Sequence, residues 1–326
     1  MKLGFKKDGI FTWLLSLIVG LGLFFLIFFF IEWDKLFSIL SKGKILPIIW
    51  AIILNIFVMV IKGIRWKQTM GKGIKVSTFD VIELTILGFF FNTILPARAG
   101  DLGKAFILAK NGEISKIHSI GTVTLDKAMD LFSILLLMLP LLFFMDLPLV
   151  LKEGIFFTTI VGIVVFITVM FIAKRFSTLE ITEKTSKLKE IFIKLGYGFS
   201  SLNDSLTIVY LFLLSILSWI LQIFILYLTG LSLNISINLA NSLLILIAIN
   251  LAIALPGTPG NIGTMHASIF LVMQFLGYKK EEAMGIAILF HAVQILPLFI
   301  LGPIIAHKLG LKLFTRSEYH GTSGRA

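Results

Sequence analysis

The sequence predicts an all-α polytopic integral membrane protein, because its apolar segments are too long and too numerous for the core of a soluble domain. Hydrophobic residues make up 57% of the 326 positions, and 31 positions are Phe. The mean hydropathy is +0.99. A helix needs about 20 apolar residues to cross a bilayer. Segments of this length predict six full spans, at about 10–31, 45–62, 121–145, 154–173, 209–231 and 284–306.

A nine-residue motif occurs twice in the chain, as LPARAGDLG at 95–103 and as LPGTPGNIG at 255–263. A shorter apolar segment leads into each copy, and after the first copy only five apolar residues separate Lys104 from Lys110. That stretch is far below the roughly 17 residues of the shortest membrane span, so the chain must turn back. We therefore predict two re-entrant helical hairpins that break at the motif and line a polar cavity.

The distribution of charge predicts the orientation of the chain. With the amino terminus in the cytoplasm, the segments on that side carry a summed formal charge of +14 and the outer loops carry 0. The positive-inside rule then predicts that both termini are cytoplasmic, in the cell (plasma) membrane. The sequence pI of about 9.7 follows from this orientation beside anionic inner-leaflet lipid, so no nucleic-acid partner is expected.

The two hairpins are predicted to form an inverted repeat. Three full spans separate them, and an odd number places their entrances on opposite sides of the membrane. The helices after the hairpins also align, with Lys127 in the first half opposite His291 in the second. We expect one transmembrane domain over residues 1–314, made of inverted halves at about 45–145 and 209–306. The polar tail at 315–326 is expected to be disordered.

The turns of the hairpins are the predicted substrate site. Asp101 and Asn261 follow the prolines, where each is expected to cap a restarting helix. The free N–H groups and positive end of such a helix favour an anion, and Arg98 adds a full charge at the first turn. A lipid phosphate is the expected ligand. The alternative is that the turns only allow the helices to pack closely.

Three charged residues, Asp126, Lys127 and Asp130, fall within a predicted span, where each charge costs about 2.5–3.5 kcal/mol. They are interpreted either as a gate whose cations a phosphate competes for, or as a self-neutralising structural group with Arg98. Arg65 and the adjacent Trp66 are interpreted as an interfacial anchor. No metal site, catalytic residue or cofactor is predicted. The candidate substrate-binding residues are Asn92, Pro96, Arg98, Gly100, Asp101, Lys104, Asp126, Lys127, Asp130, Pro256, Pro259, Gly260, Asn261, Gly263 and His291.

Several segments together resemble the lysylphosphatidylglycerol synthase transmembrane family, the flippase-like membrane region also found in bacterial multiple peptide resistance factors. The resemblance covers about residues 60–306 and rests on GFFFNTILPARAGDLGKAFIL, GTVTLDKAMD, Arg65-Trp66, LPGTPGNIG and EEAMGIAILFH. It implies a polytopic helical protein that moves, or is proposed to move, a phospholipid or a polyprenyl-linked lipid between leaflets. The chain departs from the family pattern at Lys127 and His291, where the family usually has Arg, and at Asp126, which replaces its acidic residue.

The leading functional hypothesis is a lipid transporter or flippase for an anionic phospholipid or a polyprenyl-phosphate-linked lipid. Transport would be passive or ion-coupled, because the chain has no P-loop. One alternative is a membrane lipid headgroup or prenyl transferase that uses Asp126 and Asp130. Another is a non-transporting membrane partner of a glycosyltransferase or other lipid-modifying enzyme; the oligomeric state stays open. An aminoacyl-transferase domain is not expected, since the longest polar stretch, 174–208, is far below the ~100 residues of a domain.

Overall fold

The computed structural model describes residues 31–71, 74–95, 98–110, 114–182, 185–254 and 258–311, with Ile18, Leu21, Gly22, Phe25 and Phe29 of the first apolar segment. All regular secondary structure within these residues is helical. Two short 3₁₀ helices lie at Ser200–Asn203 and Pro259–Asn261. The α-helices are α1 (Trp33–Ser41), α2 (Ile45–Thr69), α3 (Thr78–Ile94), α4 (Ala99–Lys110), α5 (Lys116–Met138), α6 (Leu141–Phe144), α7 (Leu149–Ser177), α8 (Lys187–Tyr197), α9 (Ser205–Ser232), α10 (Leu239–Ala254), α11 (Thr264–Phe275) and α12 (Lys280–Lys308).

Five segments among the described residues are helices long and apolar enough to cross a membrane, namely α2, α5 with its continuation α6, α7, α9 and α12. They coincide with five of the six predicted spans and confirm an all-helical, polytopic chain. Most of the predicted span at 10–31 and all of the tail at 315–326 lie outside the described residues. Helix α2 continues seven residues beyond its predicted end at 62, because the charged side chains of its last turns have partners in neighbouring helices.

Helices α2 and α9 pack along each other at the centre of the described structure. The largest group of buried apolar side chains joins them to α10, α11 and α12, with Leu36 of α1 at its edge. Helix α7 lies at the periphery, since Thr159 is its one buried residue. An apolar helix with a single buried residue is suited to contact with lipid.

Both predicted hairpins are pairs of helices that pack against each other. In the first pair, α3 and α4 run antiparallel, with Gly100 against Asn92 and Lys104 against Gly88. In the second pair, α10 packs on α11. Each pair also contacts a long helix from the other half of the chain: α3 packs on α12, and α10 packs on α5. These contacts bring the turn between α10 and α11 to the end of α3.

Candidate functional site

Charged side chains from α2, α4 and α5 meet in the interior of the helix bundle. Arg65 is at their centre and is fully buried, with 0% of its surface exposed. Its Nε donates to Asp126 Oδ1 at 2.8 Å, and its Nη1 donates to Asp130 Oδ1 at 2.7 Å. Nη1 also donates to the hydroxyl of Ser215 on α9, at 2.9 Å. Arg65 thereby connects α2 to α5 and α9. We refer to Lys62, Arg65, Asp101, Lys104, Asp126, Lys127 and Asp130 as the charged cluster.

Two lysines lie on the more open side of the charged cluster. Lys62 Nζ is 2.9 Å from Asp130 Oδ2. The Asp130 carboxylate is therefore paired with two cations on successive turns of α2, Lys62 and Arg65. Lys127 Nζ is 3.1 Å from Asp101 Oδ1, and 32% of the Lys127 side chain is exposed. The Lys127–Asp101 pair joins α5 to the second arm of the first hairpin.

Lys104 lies on the closed side of the charged cluster, where only 1% of its side chain is exposed. Its Nζ is 3.8 Å from Asp126 Oδ2 and 4.1 Å from the centre of the Trp66 ring. Trp66 is itself fully buried and donates from Nε1 to Thr122 Oγ1 at 3.1 Å. The aromatic face and the distant carboxylate are the contacts that balance this buried ammonium group.

The charged cluster has one more cation than carboxylates, because four basic side chains face three acidic ones. Arg65 Nη2 is also buried and has no hydrogen-bond acceptor among the described residues. Burying a charge or a donor without a partner is costly, so such groups are usually satisfied by another ligand. The arrangement is therefore suited to binding one additional anion.

These contacts correct two sequence-based interpretations. Asp126, Lys127 and Asp130 do not neutralise one another, since both carboxylates bind Arg65 on α2 and Lys127 binds Asp101 on α4. The i, i+4 spacing on α5 places the two carboxylates on one face, which faces α2. Arg65 is likewise no interfacial anchor, because its guanidinium and the neighbouring indole are fully buried.

The first motif differs from its predicted geometry at the start of α4. The helix begins at Ala99, so Asp101 lies in its first turn and is not the N-cap. Its carboxylate is near the positive end of the helix, the position in which an anionic ligand was predicted. Arg98, in the turn itself, is exposed and has a positive φ of 52°. Pro96 lies outside the described residues.

The second motif forms a tight turn before α11. Gly260, Asn261 and Gly263 have φ values of 64°, 56° and 87°, and Pro259 begins the short 3₁₀ helix. Helix α11 starts only at Thr264, with Gly263 as its N-cap, so the prediction that Asn261 caps this helix is wrong. The Asn261 carbonyl instead accepts a bond of 3.2 Å from the Thr264 hydroxyl. Pro256 lies outside the described residues.

His291 of α12 contacts the second turn directly, because its Nε2 is 2.9 Å from the carbonyl oxygen of Gly260. The ring of His266 on α11 lies edge-on to the His291 ring, with 4.8 Å between centroids. Gly260 in turn lies beside the Thr93 carbonyl at the end of α3, where an added Cβ would come within 3.3 Å. The adjacent Asn92 has a buried Oδ1 without a hydrogen-bond partner among the described residues.

The structure thus brings the predicted site residues together in two groups. Lys104, Asp101 and the three charged residues of α5 belong to the charged cluster, while Gly260 and His291 belong to a second group at the second turn. Sequence reasoning did not include Lys62 or Arg65 among the site residues. The available signal was their i, i+3 spacing on an apolar helix, which places both on the same face. Within the described parts of the chain, no three His, Asp or Glu side chains lie close enough to hold a metal ion.

Comparison with known proteins supports a membrane assignment. The family described as the lysylphosphatidylglycerol synthase TM region matches residues 13–302. The UPF0104 membrane protein MJ1078 of Methanocaldococcus jannaschii is 24% identical over 219 residues, which are 66% of this chain and 92% of that relative. A second protein of that organism, UPF0104 membrane protein MJ1595, is 31% identical over 104 residues, 31% of each chain. With five long apolar helices, the protein is a multi-pass membrane protein, and it belongs to the family of the lysylphosphatidylglycerol synthase transmembrane region.

Proposed function

We propose that this protein is a transporter that moves an anionic phospholipid or a polyprenyl-phosphate-linked lipid between the leaflets of the plasma membrane. The observation that carries the proposal is the excess cation of the charged cluster, together with Arg65 Nη2, which has no hydrogen-bond acceptor in the described part of the chain. A lipid phosphate entering the cluster would neutralise the excess charge and accept a hydrogen bond from Arg65. The acyl chains would stay in the bilayer. The membership of a family described by a lipid synthase agrees with a lipid as the substrate.

We infer six full spans, cytoplasmic termini and two re-entrant hairpins that enter from opposite sides of the membrane. Two sets of contacts support this inverted repeat. The first hairpin packs on α12 and the second on α5, so each contacts the other half in an equivalent way. Lys127 binds Asp101 in the first hairpin. In the second half of the chain, His291 aligns with Lys127 and Asn261 aligns with Asp101. His291 binds the carbonyl of Gly260, the residue before Asn261.

The ion pairs on the open side of the charged cluster provide a mechanism for gating. Asp101 and Asp130 occupy Lys127 and Lys62, the cations that an entering phosphate would reach first. A phosphate that competes for Lys127 weakens a contact between α5 and the first hairpin. A ligand can shift a conformational equilibrium only if it binds one state more tightly. Here the state with the Lys127–Asp101 pair broken would bind the phosphate more tightly.

The proposal is tested with purified protein in liposomes that contain a trace of labelled anionic phospholipid or labelled polyprenyl phosphate. A membrane-impermeant reductant measures the fraction of label that reaches the outer leaflet. We expect the protein to accelerate this movement, and Lys62→Gln with Lys127→Gln to slow it by about tenfold or more, since two charge-assisted contacts are lost. Lys42→Gln is the matched control, because Lys42 is exposed near the opposite end of α2.

The same liposomes separate the alternatives. Folded protein that moves neither lipid, with or without a pH or cation gradient, would contradict the transporter and favour a membrane partner of a lipid-modifying enzyme. Mass spectrometry of the recovered lipids would reveal a changed headgroup, which would favour a transferase. We expect the lipids to be recovered unchanged.

A further inference from the structure

Helix α8 has an exposed apolar stripe that the transport proposal does not use. Leu188, Ile191 and Phe192 are 67%, 43% and 48% exposed, and their i, i+3, i+4 spacing places them on one face of the helix. One flank of α8, next to the stripe, is anchored to the protein, because Ile193 and Gly196 are buried. The stripe is therefore held in a fixed orientation, with 43% to 67% of each of its three side chains exposed.

The contacts of α8 place it at the end of a lipid-facing helix. Gly196 packs against the backbone of Phe176 and Ser177 at the end of α7, so closely that an added Cβ would lie 2.8 Å from both. The ring of Phe192 lies 5.8 Å from the ring of Phe176, centroid to centroid. The apolar stripe of α8 thus continues the exposed apolar surface of α7.

Basic residues indicate that the carboxyl end of α7 lies at the boundary between membrane and water. Lys174 and Arg175 in the last turn of α7 are both exposed. Lys and Arg at the end of a membrane span lie at the headgroup level. Helix α8 packs on the next two residues of α7, so it lies at the same depth.

Two further exposed lysines, Lys187 and Lys189, lie on either side of the stripe at the start of α8. On a helical wheel each is about 100° from Leu188, in opposite directions. An apolar stripe between lysines is the pattern of a helix that lies in the membrane plane, with its apolar side in the acyl boundary and its cations at anionic headgroups.

From the stripe, its position and its flanking charges, we infer that α8 is an in-plane membrane helix that binds the anionic phospholipid surface beside the end of α7. Leu188, Ile191 and Phe192 insert at the acyl boundary, and Lys187 and Lys189 contact the lipid phosphates. The inference is independent of transport, because it concerns a surface outside the charged cluster.

The test uses the full chain in nanodiscs that contain phosphatidylcholine and phosphatidylglycerol. The chain has no Cys, so Leu188→Cys can carry a single fluorophore. Quenching is measured with trace nitroxide-labelled phosphatidylglycerol or nitroxide-labelled phosphatidylcholine. We expect both labelled lipids to quench at this position and phosphatidylglycerol to quench more. Lys187→Gln with Lys189→Gln should reduce this preference by up to about fivefold for each lysine removed, the gain of one lysine near an anionic surface.

Three controls keep the test decisive. Phe157→Cys on α7, where 70% of the side chain is exposed, should be quenched equally by both lipids. Lys187→Arg with Lys189→Arg should keep the preference, and Lys42→Gln should not change it. A fluorophore at Leu188 that neither lipid quenches would overturn the inference, as would cross-linking of Leu188→Cys between two copies. Equal quenching by both lipids that is insensitive to the lysines would overturn the anionic specificity.

Discussion

Arg65 determines the structure of the charged cluster, since it binds both carboxylates of α5 and has no exposed surface. Arg65 can have two roles in this position. Its Nε and Nη1 have structural partners, while Nη2 has none among the described residues. The same side chain can therefore stabilise the bundle and contribute to anion binding. A substitution at Arg65 reports mainly on the first role, because the two carboxylates remain.

We predict that Arg65→Met destabilises the protein by about 3–5 kcal/mol, because Asp126 and Asp130 lose their buried cation. Thermal melting in detergent measures the loss. Adding Asp126→Asn and Asp130→Asn to the same chain should not recover the loss, because Lys62 and the buried Lys104 would then lack their carboxylate partners. Arg98→Ala is the control, because Arg98 is exposed, and it should melt near the unchanged protein. A variant Arg65→Met that melts at the original temperature would contradict the structural role of the ion pairs.

At the scale of elements, the two copies of the motif produce different turns from similar residues. In the first copy, Gly100 is already within α4, whereas the aligned Gly260 precedes α11 and has a positive φ of 64°. Pro259 and the positive φ of Asn261 belong to the second copy alone. Gly100 is required because α3 and α4 pack closely at this position, whereas Gly260 is required because the backbone has a positive φ there.

Helix α4 offers a matched pair of glycines that tests the packing of the first hairpin. A Cβ on Gly100 would lie 2.1 Å from the Gly88 carbonyl oxygen, whereas a Cβ on Gly103 would lie 3.8 Å from Phe91, an ordinary contact. We predict that Gly100→Ala destabilises by about 2–3 kcal/mol, because a backbone atom must move. Gly103→Ala should be neutral or stabilising by up to about 1 kcal/mol, because Ala favours a helix. Melting curves that rank the two variants in the opposite order would refute this packing.

At the scale of the whole molecule, the orientation of the hairpins decides whether the protein can expose one site to both leaflets. An inverted repeat places one hairpin turn within reach of each side, the geometry that alternating access requires. Of the two hairpins, the first contributes Asp101 and Lys104 to the charged cluster. The second motif contains no Lys or Arg, and its turn is contacted by His291. The two resting places for a headgroup would therefore differ in charge.

Single cysteines test this orientation, because the chain has none of its own. We predict that Lys75→Cys and Lys116→Cys, which flank the first hairpin, react with an impermeant reagent from the same side of sealed vesicles. Asn238→Cys, before the second hairpin, should react from the other side. All three positions are exposed. Reaction of Lys75→Cys and Lys116→Cys from opposite sides would make α3 and α4 a membrane crossing and end the inverted-repeat proposal.

Much of the fold was predictable from the sequence, because hydropathy is a local property. Five of six predicted spans coincide with long apolar helices, and both hairpins occur as packed helix pairs. The limits of α2 were less predictable. A hydropathy window ends at the first charge, here Lys62, whereas the helix continues while its backbone hydrogen bonds and its side chains are satisfied.

The site was predictable only in part, since the sequence shows which charges lie in apolar segments but not which of them meet. Asp126, Lys127 and Asp130 were identified because each is costly in a bilayer unless paired. The partners of the two carboxylates lie 61 to 68 residues earlier in the chain. The partner of Lys127 is Asp101, in the second arm of the first hairpin. By itself, the sequence determined the membrane class, the helical architecture and the position of the two packed helix pairs. Only the tertiary structure decided that Arg65 pairs with both aspartates and that the two motifs form different turns, because ion pairing and close backbone approach depend on neighbours distant in the chain.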